Sequence, residues 1–146
     1  DGSLARVSTE AATLARTLAE AAGGDTAGIV VAADPSSAAT ELATYLSRVI
    51  SVTDPEASGH VWASIAAERV HEIIGSDSDT IVLLGAGPDG RDVAGALSAL
   101  SGLGVLVNAT GVTWADGGPA VQMSVFGGKL ITTSGFAAYC ALVASR

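Results

Sequence analysis

Short apolar runs alternate with longer segments whose apolar residues recur at three- and four-residue spacing. The longer segments predict helices and the runs predict buried strands. Thr9 to Ala22 carries Leu14, Leu18 and Ala22 on one stripe with Ala11 and Ala15, a helix capped by Ser8 or Thr9 and ended by Gly23-Gly24. Gly28 to Ala32 is a β-branched run. Asp34-Pro35-Ser36-Ser37 reads as a helix start, with Pro35 at the first helical position and the helix reaching about Leu46. Arg48 to Val52 is strand-like and stops at Asp54-Pro55. His60 to Ile74 is a helix that groups Trp62, Ile65, Ala66, Val70, Ile73 and Ile74 on one face and ends at Gly75.

The next strand, Thr80 to Leu84, is apolar throughout, as in a sheet covered on both faces. It opens into Gly85-Ala86-Gly87-Pro88-Asp89-Gly90, then Arg91-Asp92, then a small-residue helix from Val93 to Leu100. Gly95 weakens that helix by about 1 kcal/mol relative to Ala, a cost borne more readily where something packs on its bare backbone. Gly104 to Asn108 is a further buried strand. After it the helices stop. Val112 to Trp114, Ala120 to Phe126 and Lys129 to Thr133 are strand-like, joined by hairpin-type connections at Asp116-Gly117-Gly118 and Gly127-Gly128. Cys140 to Ala144 is a candidate last strand. The pattern predicts an α/β fold with a parallel sheet and antiparallel additions at its edge.

Length and composition narrow this picture. The 146 residues suit one domain with one core. Only 4% are aromatic, so Ala, Val, Leu and Ile must build that core. A net charge of −8 with seven thinly spread Lys and Arg argues against nucleic acid or an anionic membrane surface as partner. A lone cysteine, Cys140, forms no internal disulfide and points to a reducing compartment, the cytoplasm. No apolar run approaches the ~20 residues that span a bilayer. The chain starts abruptly at Asp1, as though a strand preceded it.

Candidate chemistry is sparse. Gly85-x-Gly87-x-x-Gly90 fits a phosphate-cradling pattern at a helix start, with Gly87, Gly90 and Arg91 as the candidate contacts. Against it, Pro88 removes an amide donor, and Asp89 and Asp92 set negative charge where a phosphate would sit. A structural turn accounts for the same residues. Arg91 can reach an anion, or pair with Asp89 or Asp92 and hold the loop. His60 and His71 stand at no metal-ligand spacing with Cys140 or a carboxylate cluster, and His71 lies on a polar helix flank, where solvation is expected. Cys140 reads as a packed strand residue, and Trp62 and Trp114 as core or interface fillers. No catalytic constellation emerges, so the expectation is a non-enzyme.

Four stretches in order carry a family resemblance: Asp1-Gly2-Ser3-Leu4 ahead of a capped Ala/Leu helix, Gly90-Arg91-Asp92 at a helix start, Val125-Phe126-Gly127-Gly128-Lys129, and Leu142-Val143-Ala144-Ser145-Arg146. Together they resemble the N-terminal domain of the electron transfer flavoprotein alpha subunit. The resemblance implies a three-layer α/β/α sandwich, akin to adenine nucleotide alpha hydrolase-like and universal stress folds. It implies a heterodimer with a beta subunit and an FAD that carries electrons from acyl-CoA and other dehydrogenases to a membrane quinone oxidoreductase, as in fatty acid β-oxidation. Most FAD contacts would belong to a C-terminal domain, expected after Arg146, and a first strand is expected just before Asp1. Residues 1–146 would then be a single domain with little or no FAD of its own, in a bacterial cytoplasm. Gly90, Arg91, Asp92, Phe126, Gly127, Gly128 and Lys129 match the family pattern and are expected to serve architecture and subunit contact. The family's Arg-Pro pair ahead of the hairpin is replaced by Met123-Ser124, so no polar contact is carried over there.

Two other readings stay open. One is a nucleotide-binding module of the universal stress type, holding ATP or AMP over Gly85 to Gly90. The other is a hydrolase of the same fold, for which no residues nominate themselves.

Overall fold

The computed structural model describes residues 3–58, 62–75 and 80–136, and the backbone of 140–144. Helix α1 spans Arg6–Ala22, three residues earlier than the stripe alone suggested. Its N-cap is Ala5, with no side-chain cap. The expected caps, Ser8 and Thr9, are inside the helix, beyond the first-turn amides, and the Thr9 hydroxyl donates to the Arg6 carbonyl at 2.8 Å. The early start places Val7 over the end of a later strand, described below. The helix stops at Gly23, in the left-handed region, as expected.

Strand β1, Gly28–Ala32, pairs in parallel with β2, Val49–Thr53. Between them α2 covers only Ser36–Leu42 and ends before Leu46, although Leu46 is still buried. Pro35 is its N-cap rather than its first residue. The Asp34 carboxylate accepts the Ser36 amide at 3.1 Å and satisfies one exposed donor of the first turn. A short 3-10 turn at Pro55–Ser58 precedes α3, Trp62–Ile74. His60 lies outside the described residues. Ala66, Ala67 and Val70 of α3 are buried, and Trp62 donates its indole N–H to the Val31 carbonyl at 3.2 Å, so it fills the core with its polar atom satisfied. Ile73 falls off the predicted face and is exposed.

Strand β3, Val82–Gly85, is followed by α4, Pro88–Ser101, then β4, Gly104–Ala115. The predicted stop at Asn108 is a bend within one strand: pairing shifts register between Leu106 and Ala109, and Asn108 takes φ 57°. The separate strand expected at Val112 is therefore the second half of β4. β5, Gly118–Val125, and β6, Leu130–Ser134, add antiparallel pairs outward from β4. The β4–β5 connection turns at Asp116 (φ 53°) and Gly117 (φ 81°), the paired positive angles of a tight hairpin.

β7, Cys140–Ala144, does not extend the edge. It returns to the middle and pairs in parallel with both β3 and β4. The strands thus form two sheets, β1-β2 and β3-β7-β4-β5-β6. The architecture is mixed α/β, with parallel strands and a late antiparallel edge. α3 and α4 close one face over a core centred on Ala67 and Leu97. On the other face α1 covers Leu83, Ala109 and Val121 through Leu14 and Leu18, and reaches α2 through Ala12.

Candidate functional site

Two places hold the residues that the sequence singles out: the crest where β3 passes into α4, and the hairpin between β5 and β6.

At the crest, the helix begins at Pro88, two or three residues before the expected start at Gly90-Arg91-Asp92. Proline has its φ preset and lacks an amide that would be unpaired there in any case, so the chain can enter the helix at once. Gly87 is the N-cap in an extended conformation. Asp89, Gly90, Arg91 and Asp92 therefore lie in the opening turns and not in a loop. Asp89 stands in the first turn, where a negative charge is favourable.

Gly90 is bare for a structural reason. A Cβ there would collide with the Gly85 carbonyl oxygen, so the helix leans directly on the strand it came from. Gly85 is crowded on its other side, where a Cβ would come within 2.7 Å of the Val7 side chain. Gly87 alone of the three faces open space.

Arg91 ignores the neighbouring acids. Its Nη2 donates to the Asn108 side-chain oxygen at 3.2 Å, and it forms no ion pair with Asp89 or Asp92 among the described residues. Asn108 was not singled out by sequence. Its only advance signal is its position at the predicted end of a strand, since Asn tolerates the left-handed conformation that a bend requires. The contact ties the start of α4 to the bend of β4.

A flavin or nucleotide pyrophosphate is poorly matched to this crest. The recess that a glycine would open at Gly90 is filled by backbone, Pro88 supplies no donor, two carboxylates flank the helix start, and the one guanidinium is engaged with Asn108. The residues present do not fit the group.

Other titratable groups serve the scaffold. Asp54 is 7% exposed; it accepts the Glu56 amide at 3.0 Å and the Arg69 guanidinium at 3.0 Å. Arg69 also bonds Glu72, and these two carboxylates, Glu72 first, raise its already high pKa. His71 is not simply solvated: its Nδ1 is shut off from solvent and has no hydrogen-bond partner among the described residues. Among the described residues no three of His, Cys, Asp and Glu gather as a metal site requires. The Cys140 side chain lies outside the description.

The hairpin is different in kind. Phe126-Gly127-Gly128-Lys129 links paired residues Val125 and Leu130. Phe126, Gly127 and Gly128 all have positive φ, at 53°, 66° and 88°. Left-handed backbone is uncommon for a bulky residue, and here it holds the Phe126 ring out at 79% exposure. In β6, Ile131 is 67% exposed and Leu130 is also open. All 15 Asp and Glu of the chain lie at or before Asp116, so the chain from Gly117 onward has no acidic side chain, while Lys129 stands in the hairpin itself. This asymmetry is readable in the sequence once the hairpin is known to be outermost.

Comparison with known families places the chain. The profile of the electron transfer flavoprotein domain family matches residues 1–146. No curated protein matches the chain.

Proposed function

From the premise that the chain belongs to the electron transfer flavoprotein domain family, we propose that it is the N-terminal scaffold and subunit-interface domain of an alpha subunit. In this reading it docks a beta subunit and orients a C-terminal FAD-binding domain. The assembled heterodimer carries electrons from acyl-CoA and other dehydrogenases toward a quinone oxidoreductase of the respiratory chain. The domain itself performs no redox step.

The observation that carries the reading is the hairpin: Phe126, Leu130 and Ile131 are each exposed, Leu130 and Ile131 on opposite faces of β6, in the acid-free part of an otherwise acidic chain. Large apolar side chains held in water at an outer hairpin are candidates for an interaction surface. An apolar centre depleted of charge, with large aromatic side chains, is the composition of interface cores. Gly127 and Gly128 permit the turn that presents Phe126, and Lys129 supplies one cation at the rim. At the crest, Arg91 and Asp92 are exposed and offer a second, polar contact, while Gly87 and Gly90 shape the turn. No helix among the described residues is long and apolar enough to cross a membrane, so contact with a membrane oxidoreductase would be made from outside the bilayer.

Sedimentation of the chain with a beta subunit of the same family tests this. The wild type is expected to form a one-to-one complex, and Phe126→Asp with Ile131→Asp to weaken it at least tenfold with the fold retained. The purified 146-residue chain is expected to lack flavin absorbance; stoichiometric flavin, or a complex indifferent to the double substitution, would overturn the reading.

A further inference from the structure

An aspartate followed by glycine is a place where the backbone can react with its own side chain. The glycine nitrogen is within reach of the aspartate carboxyl carbon, and no Cβ on the glycine obstructs the approach. The chain contains three such pairs: Asp1-Gly2, Asp89-Gly90 and Asp116-Gly117. Asp1-Gly2 lies outside the described residues. The other two are held in opposite ways.

Asp89-Gly90 is locked. Both residues lie in the opening of α4, and the Arg91 amide bonds the Gly87 carbonyl at 3.1 Å, which closes a turn around them. Gly90 rests against the Gly85 carbonyl, so its peptide swings toward the Asp89 side chain only if β3 or α4 moves.

Asp116-Gly117 is open. The two residues are the whole connection between the paired Ala115 and Gly118, and both are exposed. Among the described residues no hydrogen bond or ion pair engages the Asp116 carboxylate, and no backbone bond holds the Gly117 amide. Nothing lies within 4 Å of where a Gly117 Cβ would be, so the peptide has space to turn. Asp116 sits at φ 53°, an angle that an L residue adopts at a cost. Leaving it therefore costs the turn less than leaving a relaxed conformation. The nucleophile and the electrophile are both without partners, on a backbone with little to lose by moving.

We propose that Asp116-Gly117 is a site of spontaneous covalent modification, at which the chain forms isoaspartate. The Gly117 nitrogen bonds to Cγ of the protonated Asp116 carboxyl. The hydroxyl leaves with the amide proton as water, and a cyclic imide remains. Water then opens the ring at one of its two carbonyls. Cleavage of the bond from nitrogen to Cγ restores aspartate. Cleavage of the bond from nitrogen to the former backbone carbonyl leaves the main chain running through Cβ and Cγ, and that carbonyl becomes a free carboxylate. One water leaves and one returns, so the step needs no oxidant, metal or second protein.

The product matters because a two-residue turn sets register. An extra methylene in the main chain there no longer fits the pairs Trp114–Pro119 and Ala115–Gly118. Trp114 packs in the cluster beneath α1, so the disturbance reaches the core of the antiparallel edge. The inference is independent of the subunit reading, since this turn lies at the opposite end of β5 from Phe126.

The test is ageing of the purified chain in neutral buffer at physiological temperature. Peptide maps are made with a protease that cuts before aspartate and not before isoaspartate. Isoaspartate is expected to form at position 116 at least fivefold faster than at position 89, beside an imide species lighter by one water. Asp116→Asn keeps a residue that tolerates the left-handed angle and offers ammonia as leaving group. It is expected to convert at least tenfold faster, with the mass change of an amide becoming an acid. Asp116→Gly keeps the turn without a carboxyl. Its tryptophan emission is expected to hold steady while that of the wild type drifts as isoaspartate accumulates. Conversion at 116 no faster than at 89 overturns the proposal. So does conversion at 116 that occurs in urea but not in the folded chain, which would mean that the hairpin protects the pair. Equal drift in wild type and Asp116→Gly overturns the link from modification to β4–β5 pairing.

Discussion

The β3–α4 crest and the β5–β6 hairpin are both glycine-rich turns, but they use glycine for opposite ends. At the crest, bareness lets parts approach: Gly90 lies against the Gly85 carbonyl, and Gly85 against Val7. The result is a corner filled at Gly90 and Gly85, with open space only at Gly87. At the hairpin, Gly127 and Gly128 have positive φ, and they free the chain to hold Phe126 away from the body. One turn closes the molecule and the other opens it. A glycine motif therefore says little about binding until the space around each missing Cβ is known.

The sharpest way to break this comparison is at Gly90. Gly90→Ala drives a Cβ into the Gly85 carbonyl, which can yield only by shifting β3 or α4. A loss of more than about 3 kcal/mol is expected in urea unfolding. A loss below about 1 kcal/mol would show that the corner is loose, and the case against a ligand there would weaken with it.

Next comes an equal truncation in each region. Leu97, at 0% exposure, lies at the heart of the α3–α4 layer. Leu97→Ala is expected to cost about 3 kcal/mol through lost burial and a cavity. Ile131→Ala on the hairpin is expected to change stability by less than about 0.5 kcal/mol, since its side chain is already in water. A substantial loss at Ile131 in the isolated chain would mean that the hairpin is covered, by self-association or by another part of the chain.

Gly95 gives a smaller effect of opposite sign. It was expected to accommodate a close neighbour, but nothing lies within 4 Å of where its Cβ would be, on the exposed side of α4. Gly95→Ala is expected to stabilise by about 0.5–1 kcal/mol, read as a rise in Tm. Destabilisation would place an unseen partner on that face. Set beside Gly90→Ala, it contrasts two glycines of one helix by the space around them.

The smallest effect is electrostatic. The Asp34 carboxyl is held below its ordinary value of 3.8 by the Ser36 hydroxyl and then the Ser36 amide. A carboxyl whose folded pKa is depressed contributes stability above its unfolded value and loses it as pH falls through the folded one. The wild type should therefore lose slightly more of its unfolding midpoint than Asp34→Asn between about pH 5 and about pH 3. Equal losses would show that the bond at the start of α2 is immaterial.

Much of the fold was legible because it rests on local pattern. Apolar periodicity located α1, α3 and every strand but β4 to within a few residues, and Gly23, Gly75 and the Asp116-Gly117 pair marked true turns. The misplaced boundaries have local causes. Thr9 turns its hydroxyl back on the helix instead of capping it, and Pro88 starts α4 where a glycine run suggested a loop. Of the candidate site residues, Gly90 and Phe126 stand where their roles differ most, yet sequence placed both in similar glycine-rich turns.

What sequence alone determined is the alternation of helices and strands, their order and the acid-free C-terminal portion, because each depends on spacing, turn chemistry or composition along the chain; it did not determine that two expected strands are the halves of β4. Tertiary structure alone decided that β7 returns between β3 and β4, that Arg91 finds Asn108 rather than the adjacent acids, and that β1 and β3 share a core without pairing. Those outcomes depend on which distant surfaces meet. Periodicity encodes which face of a segment is apolar, but not the neighbour that covers it.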